Sequence, residues 1–187
     1  MRCRTASRRC SPWHAQIELL HTAWQRGLNS LQTSTIGQLF DATALLDAYQ
    51  EASFEGEGPM RLQALAKTVA NGPCRPIHWQ HTGDLWELDW QPWLDGLLNE
   101  QIPTAHRAWA LHDALARAAS ELACRLDLQA GTALGGAGGV FQNSLLAERL
   151  WERFPGLQLS QRQPAYDAGM ALGQLMECLA LDHKETP

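Results

Sequence analysis

GGAGGVFQNSLL, Gly135 to Leu146, is the stretch on which the fold turns. Before it, Gly131, Thr132, Ala133 and Leu134 form an apolar run too short for a helix, which reads as a buried strand. After it, Val140, Leu145, Leu146 and Leu150 recur at helical spacing. The glycines therefore sit where a strand hands over to a helix. Glycines there allow positive φ and let a ligand approach with no Cβ in its way, while the N–H groups and positive end of the helix favour an anion. That is the physics of a nucleotide or phosphate site. The spacing matches neither the common phosphate loop nor the dinucleotide fingerprint, so a plain tight connection fits the residues equally well.

Downstream, the helix ends before Pro155, Leu157 to Leu159 form a short strand, and a last helix starts near Asp167 with Met170, Leu172, Leu175, Met176 and Leu179 buried. Alternation of strand and helix implies an α/β lobe, a small sheet packed with helices. In such folds ligands collect at the carboxyl ends of strands, where the glycine stretch and the loop Pro164 to Asp167 both lie. Asp167 is either the cap of its helix or a carboxylate able to hold a hard cation against phosphate oxygens.

Upstream, Pro103 opens the longest helix, to about Leu126, with a stripe of Trp109, Leu111 or His112, Leu115, Ala119 and Leu122. His106 and His112 read as surface or core-edge residues. Two runs around HTGD, with Gly83 at the turn, predict a hairpin, followed by a short helix carrying Trp93, Leu94, Leu97 and Leu98. His78, His81, Cys74 and Asp84 flank that turn, but their spacing does not converge on a metal. Earlier still, Pro12 opens a helix with Trp13, Ile17, Leu20 and Trp24 on one face, and a second helix carries Leu39, Phe40, Ala44 and Leu45 inward with Asp41 amid them. SFEGEGPMRLQALA then leads into a helix starting at Pro59.

With 187 residues, 45% of them hydrophobic, the chain can bury one core. A net charge of -5 argues against a nucleic-acid surface. No apolar run reaches the ~20 residues needed to span a bilayer, so the expected place is the cytoplasm, with no membrane partner. The arginines at 2, 4, 8 and 9 mark residues 1–11 as a disordered basic arm, leaving 12–187 as the folded lobe. Five scattered cysteines without a CxxC pair read as reduced thiols, with Cys124 and Cys178 as small core residues.

Four ordered motifs, TSTIGQLFDATALL, SFEGEGPMRLQALA, GGVFQNSLLAERL and PAYDAGMALGQ, resemble the Kae1-like domain of HypF-type carbamoyltransferases, enzymes of nickel–iron hydrogenase maturation. The Phe-Gln of GGVFQN separates this family from the related tRNA-modifying subunit, whose run usually reads GGVSAN. The resemblance implies the second lobe of an actin-like, sugar-kinase-like ATPase fold. It implies binding of ATP or carbamoyl-adenylate, a divalent metal, and transfer of the carbamoyl group to the C-terminal cysteine of a HypE-like acceptor protein. Carried over motif by motif, Asp41, Gly56, Gly138, Gly139 and Asn143 would hold the nucleotide, and Asp167 would be a metal ligand.

The family's paired metal-binding histidines lie in its first lobe, so the chain is expected to act with a partner lobe or in a homo-oligomer. Gln38, Arg61, Ser144 and Tyr166 depart from the family's pattern. Those departures keep two other readings open: a non-catalytic remnant serving as a binding or oligomerisation module, and a superfamily carbamoyltransferase acting on a small metabolite.

Overall fold

A computed structural model describes residues 14–31, 33–44, 52–126 and 134–182. The basic arm, Pro12, Trp13, Leu45 and the predicted strand residues Gly131–Ala133 lie outside them. The chain divides into two compact units, 1–62 and 63–187. Among the described residues there are seven α-helices and four strands, a mixed α/β architecture of small sheets packed with helices.

The first unit holds α1 (His14–Gln25), α2 (Ile36–Ala44) and the start of α3 (Glu57–Ala66). α1 is followed by Gly27 and Asn29, both at positive φ, as a helix stop requires. α2 buries Phe40 and Thr43, and the Thr43 hydroxyl donates to the Phe40 carbonyl at 2.9 Å. α3 begins two residues before Pro59, so the proline sits in its first turn, where its missing N–H costs nothing. The Ser53 N–H donates to the Glu57 carboxylate at 2.7 Å just ahead of that turn.

The second unit is built around α5 (Thr104–Arg125), opened by Pro103. Ala108, Ala110, Leu111, His112, Ala114, Leu115, Ala116 and Ala118 are all buried, so the helix is covered on every side along its middle. Alanine makes this possible by letting neighbours come close. α6 (Ser144–Arg153) packs along α5 with Leu145, Leu146 and Leu150, and α4 (Gln91–Leu97) adds Trp93 and Leu97. The Trp93 indole N–H is satisfied by the Pro76 carbonyl at 2.6 Å. Between α5 and α6 the buried Asp113 takes hydrogen bonds from Arg117 Nε at 3.1 Å and Arg153 Nη2 at 2.6 Å, and the Arg149 guanidinium lies 5.0 Å from the Trp109 ring.

β1 (His78–Thr82) and β2 (Leu85–Asp89) form the expected antiparallel hairpin. Thr82 pairs with Leu85 across a two-residue turn whose Gly83 has φ +63°. The second sheet is the parallel pair β3 (Leu134–Gly136) and β4 (Leu157–Leu159), with α6 as the crossover. β4 lies where the sequence places it, and the described part of β3 runs from Leu134 into the first two glycines.

α7 (Met170–Asp182) corrects the sequence reading. Its apolar residues are not core: Met170 is 57% exposed, Leu175 62% and Met176 59%, with Leu172 and Leu179 also open. Cys124 and Cys178 are likewise exposed free thiols rather than core residues. In α1, Ile17, Leu20 and Trp24 are exposed too. No helix among the described residues is long and apolar enough to cross a membrane.

Candidate functional site

The glycine stretch runs from β3 through Gly138 into a 3₁₀ turn, Gly139–Gln142, and then into α6. Gly138 has φ +108°, a conformation for which a side chain is strained. At Gly136 a Cβ would press into Leu159 and Phe141, both nearer than 3.0 Å, so the strand's last glycine lets the Phe141 ring and the Leu159 side chain close over it. Asn143 caps α6: its side-chain oxygen accepts the Leu146 N–H at 3.1 Å.

The other face of the Asn143 amide is also engaged. Its Nδ2 donates to His112 Nε2 at 2.9 Å, and His112 Nδ1 donates to the Ala108 carbonyl at 2.8 Å. His112 is fully buried, not a surface or core-edge residue. Burial lowers its pKa to about 4 against the raising effect of the Ala108 hydrogen bond, so the ring is neutral near pH 7. Sequence reasoning missed this partner of the loop. The available signal was position: His112 lies one turn after Trp109 and among Ala108, Leu111, Leu115 and Ala116, a setting that buries whatever stands there.

The glycine loop and the Pro164–Asp167 loop meet directly, because the Gly138 N–H donates to the Ala165 carbonyl. Asp167 is exposed and opens a 3₁₀ turn, Asp167–Gly169, without a side-chain cap on it. Gly169 closes that turn through its N–H to the Tyr166 carbonyl at 2.8 Å. Of the expected site residues, then, Gly138, Gly139, Asn143 and the segment bearing Asp167 form one connected region of the second unit. Asp41, exposed on α2, and Gly56, half-buried with φ +84° ahead of α3, belong to the first.

Ser144, the first residue of α6, receives Lys67 Nζ at 2.7 Å and Gln63 Nε2 at 3.3 Å, and Lys67 also pairs with Glu148 at 3.4 Å. This brings a cation beside the start of the helix. Among the described residues no three His, Cys, Asp or Glu side chains gather as a metal site. Asp167 offers a single, exposed carboxylate there.

Gly169→Ala tests the contact between the loops. A Cβ there would lie 2.5 Å from the Pro164 carbonyl oxygen, a backbone atom that cannot swing aside. The variant is expected to lose about 1–3 kcal/mol in urea unfolding as the loop is pushed off Gly138. Gly173→Ala, within α7 and with open space around its Cβ, is expected to be neutral or to gain up to about 1 kcal/mol. Equal effects at the two positions would refute the assignment.

The architecture defines an α/β lobe organised on a strand, glycine loop and helix, with a second loop bonded to the first. Residues 1–174 match the family model described as the second subdomain of the Kae1-like domain of carbamoyltransferases. The carbamoyltransferase HypF of Rhodobacter capsulatus is 37% identical over 161 residues, 83% of this chain and 21% of its own length. That of Rhizobium leguminosarum bv. viciae is 31% identical over 175 residues, 87% of this chain and 22% of its own. The crystal structure of T. kodakarensis HypF superposes with a TM-score of 0.70 at 23% identity, covering 94% of this chain and 25% of that one, and shows the same fold. The chain belongs to the HypF carbamoyltransferase family, as the second subdomain of its Kae1-like domain, and spans about a fifth of the length of the curated relatives it matches.

Proposed function

We propose that this chain is the nucleotide-gripping part of a HypF-type carbamoyltransferase. In this reading it holds ATP or carbamoyl-adenylate while the carbamoyl group passes to the C-terminal cysteine of a HypE-like acceptor protein. The observation that supports it most is the hydrogen bond from the Gly138 N–H to the Ala165 carbonyl, which draws the glycine loop and the Asp167 loop together. Glycine backbone with no Cβ at Gly138 and Gly139 allows close approach of adenosine or phosphate. Lys67, held at Ser144, adds a positive charge at the rim.

Transfer to a thiolate requires the carbamoyl carbon to be attacked by sulfur as the adenylate phosphate leaves, and fixed backbone dipoles stabilise the charge that develops. Asp167 would contribute one ligand to a divalent cation whose other ligands come from beyond the described residues. A partner lobe or a second copy would also cover α7, whose open Leu and Met residues make a face that water does not favour.

Calorimetric titration with ATP, with and without magnesium or manganese, tests this reading. Binding is expected, strengthened by metal, and Asp167→Ala should remove the metal-dependent part, about tenfold or more, while sparing the remainder. Absence of any heat with ATP, AMP and a carbamoyl-adenylate analogue would overturn the reading and favour the oligomerisation module. The exposed α7 face is the observation on that side.

A further inference from the structure

We infer that His112 is the positioning residue of the glycine loop, setting the orientation of the Asn143 amide and through it the shape of the turn that carries Gly138 and Gly139. Its consequence for ligand binding rests on the nucleotide reading above; its geometry does not. A continuous chain of hydrogen bonds carries the inference. The Ala108 carbonyl accepts from His112 Nδ1 at 2.8 Å, which leaves Nε2 of the neutral ring as an acceptor. Nε2 then takes the Asn143 Nδ2 donor at 2.9 Å, and this turns Oδ1 of the same amide toward the Leu146 N–H, 3.1 Å away.

From Asn143 the backbone continues the chain: its N–H donates to Val140 at 3.1 Å, Phe141 N–H to Gly138 at 3.1 Å, and Gly138 N–H to Ala165. The interior of α5 is thus linked to both loops.

The arrangement is interlocked. Moving the proton from Nδ1 to Nε2 would place two donors face to face at Asn143, and the amide would have to turn over. Its NH₂ would then point at the Leu146 N–H, so the cap of α6 would be lost and two buried donors left opposed. One tautomer of His112 and one orientation of Asn143 are therefore selected together. An apolar residue of similar volume at 112 fills the space but gives Asn143 no acceptor, while glutamine carries both a donor for Ala108 and an acceptor for Asn143.

The test uses the full 187-residue chain labelled with ¹⁵N, as wild type, His112→Leu and His112→Gln. The wild-type ring is expected to show Nδ1 protonated and Nε2 bare in long-range proton–nitrogen spectra. In His112→Leu, hydrogen exchange at the Leu146 amide should quicken about tenfold or more, and resonances of Gly138 to Asn143 should move, with β1 and β2 unchanged. ATP affinity should fall about tenfold in the same variant. His112→Gln should lie within about threefold of wild type in both readouts.

An Nε2-protonated ring, or loop resonances and Leu146 exchange unaltered in His112→Leu, would overturn the inference. Should His112→Leu fail to fold, the wild-type tautomer and the His112→Gln exchange rates decide it. Wild type that does not bind ATP, combined with the expected loop changes, refutes the nucleotide reading and leaves the positioning role standing.

Discussion

Asp113→Ala is expected to be among the most damaging single substitutions in the second unit. Asp113 is buried, and its two oxygens receive Arg117 Nε from the next turn of α5 and Arg153 Nη2 from the end of α6. Removing the carboxylate leaves two guanidiniums near each other without the charge that justified bringing them in. A buried pair broken on one side typically costs 3–5 kcal/mol. Here both arginine side chains keep about a quarter of their surface in water, 24% and 27%, so they recover some hydration.

The expected loss is therefore about 3 kcal/mol, a fall in melting temperature on the order of 6–12 °C for a chain of this size. Asp113→Asn keeps an acceptor and should fall between wild type and alanine. Because the pair is largely out of water, the loss should change little between low and moderate salt. A loss below about 1 kcal/mol in urea unfolding would show that the α5–α6 contact rests on its leucines and alanines instead.

How far the sequence foretells this molecule depends on whether the deciding force is local. Pro103 opens α5 and Gly83 turns the hairpin because each acts within a few residues of itself, and both stand as expected. The strand before the loop is decided partly by packing. Its expected apolar run stops at Leu134, and the described ladder continues past it through Gly135 and Gly136. Glycine is a poor strand former by propensity, but at Gly136 the missing Cβ admits Phe141 and Leu159, a packing reason invisible in the local pattern.

α7 fails differently. Periodicity registers an apolar face, and says nothing of which surface covers it; in α7 that face is open to water. The site shows the same division. The motif places Gly138, Gly139, Asn143 and Asp167 on two loops, and the Gly138–Ala165 bond joins those loops. Nothing in the motif indicates that both polar ends of Asn143 are already committed, one of them to a histidine thirty-one residues earlier.

That histidine gives the second large expectation, a loss of stability in mild acid. His112 is neutral in the fold, and burial lowers its pKa from 6.5 to about 4. In the unfolded chain the imidazole takes a proton near 6.5, so between there and about 4 the unfolded state binds more protons than the folded one. Stability therefore rises with pH across that window: the contribution is intact above pH 7, is lost progressively as pH falls through 6.5 toward 4, and levels off below. The whole span is worth at most about 3.5 kcal/mol, taking about 1.4 kcal/mol for each pH unit of separation.

Carboxylates titrate at the lower end of the same range, so the quantity to measure is a difference. Urea unfolding of wild type and His112→Gln at half-unit steps from pH 7.5 to 4 removes what the two share. The glutamine has no proton to gain, so wild type should lose ground against it steadily below pH 6.5. A difference that stays flat over those steps would mean that the ring takes up its proton in the folded chain at the same pH as in the unfolded one. It would then have to donate from both nitrogens, which is incompatible with a donor amide from Asn143 facing Nε2. The acid limb of the stability curve and the orientation of a single amide beside the glycine loop are thus two readings of one proton.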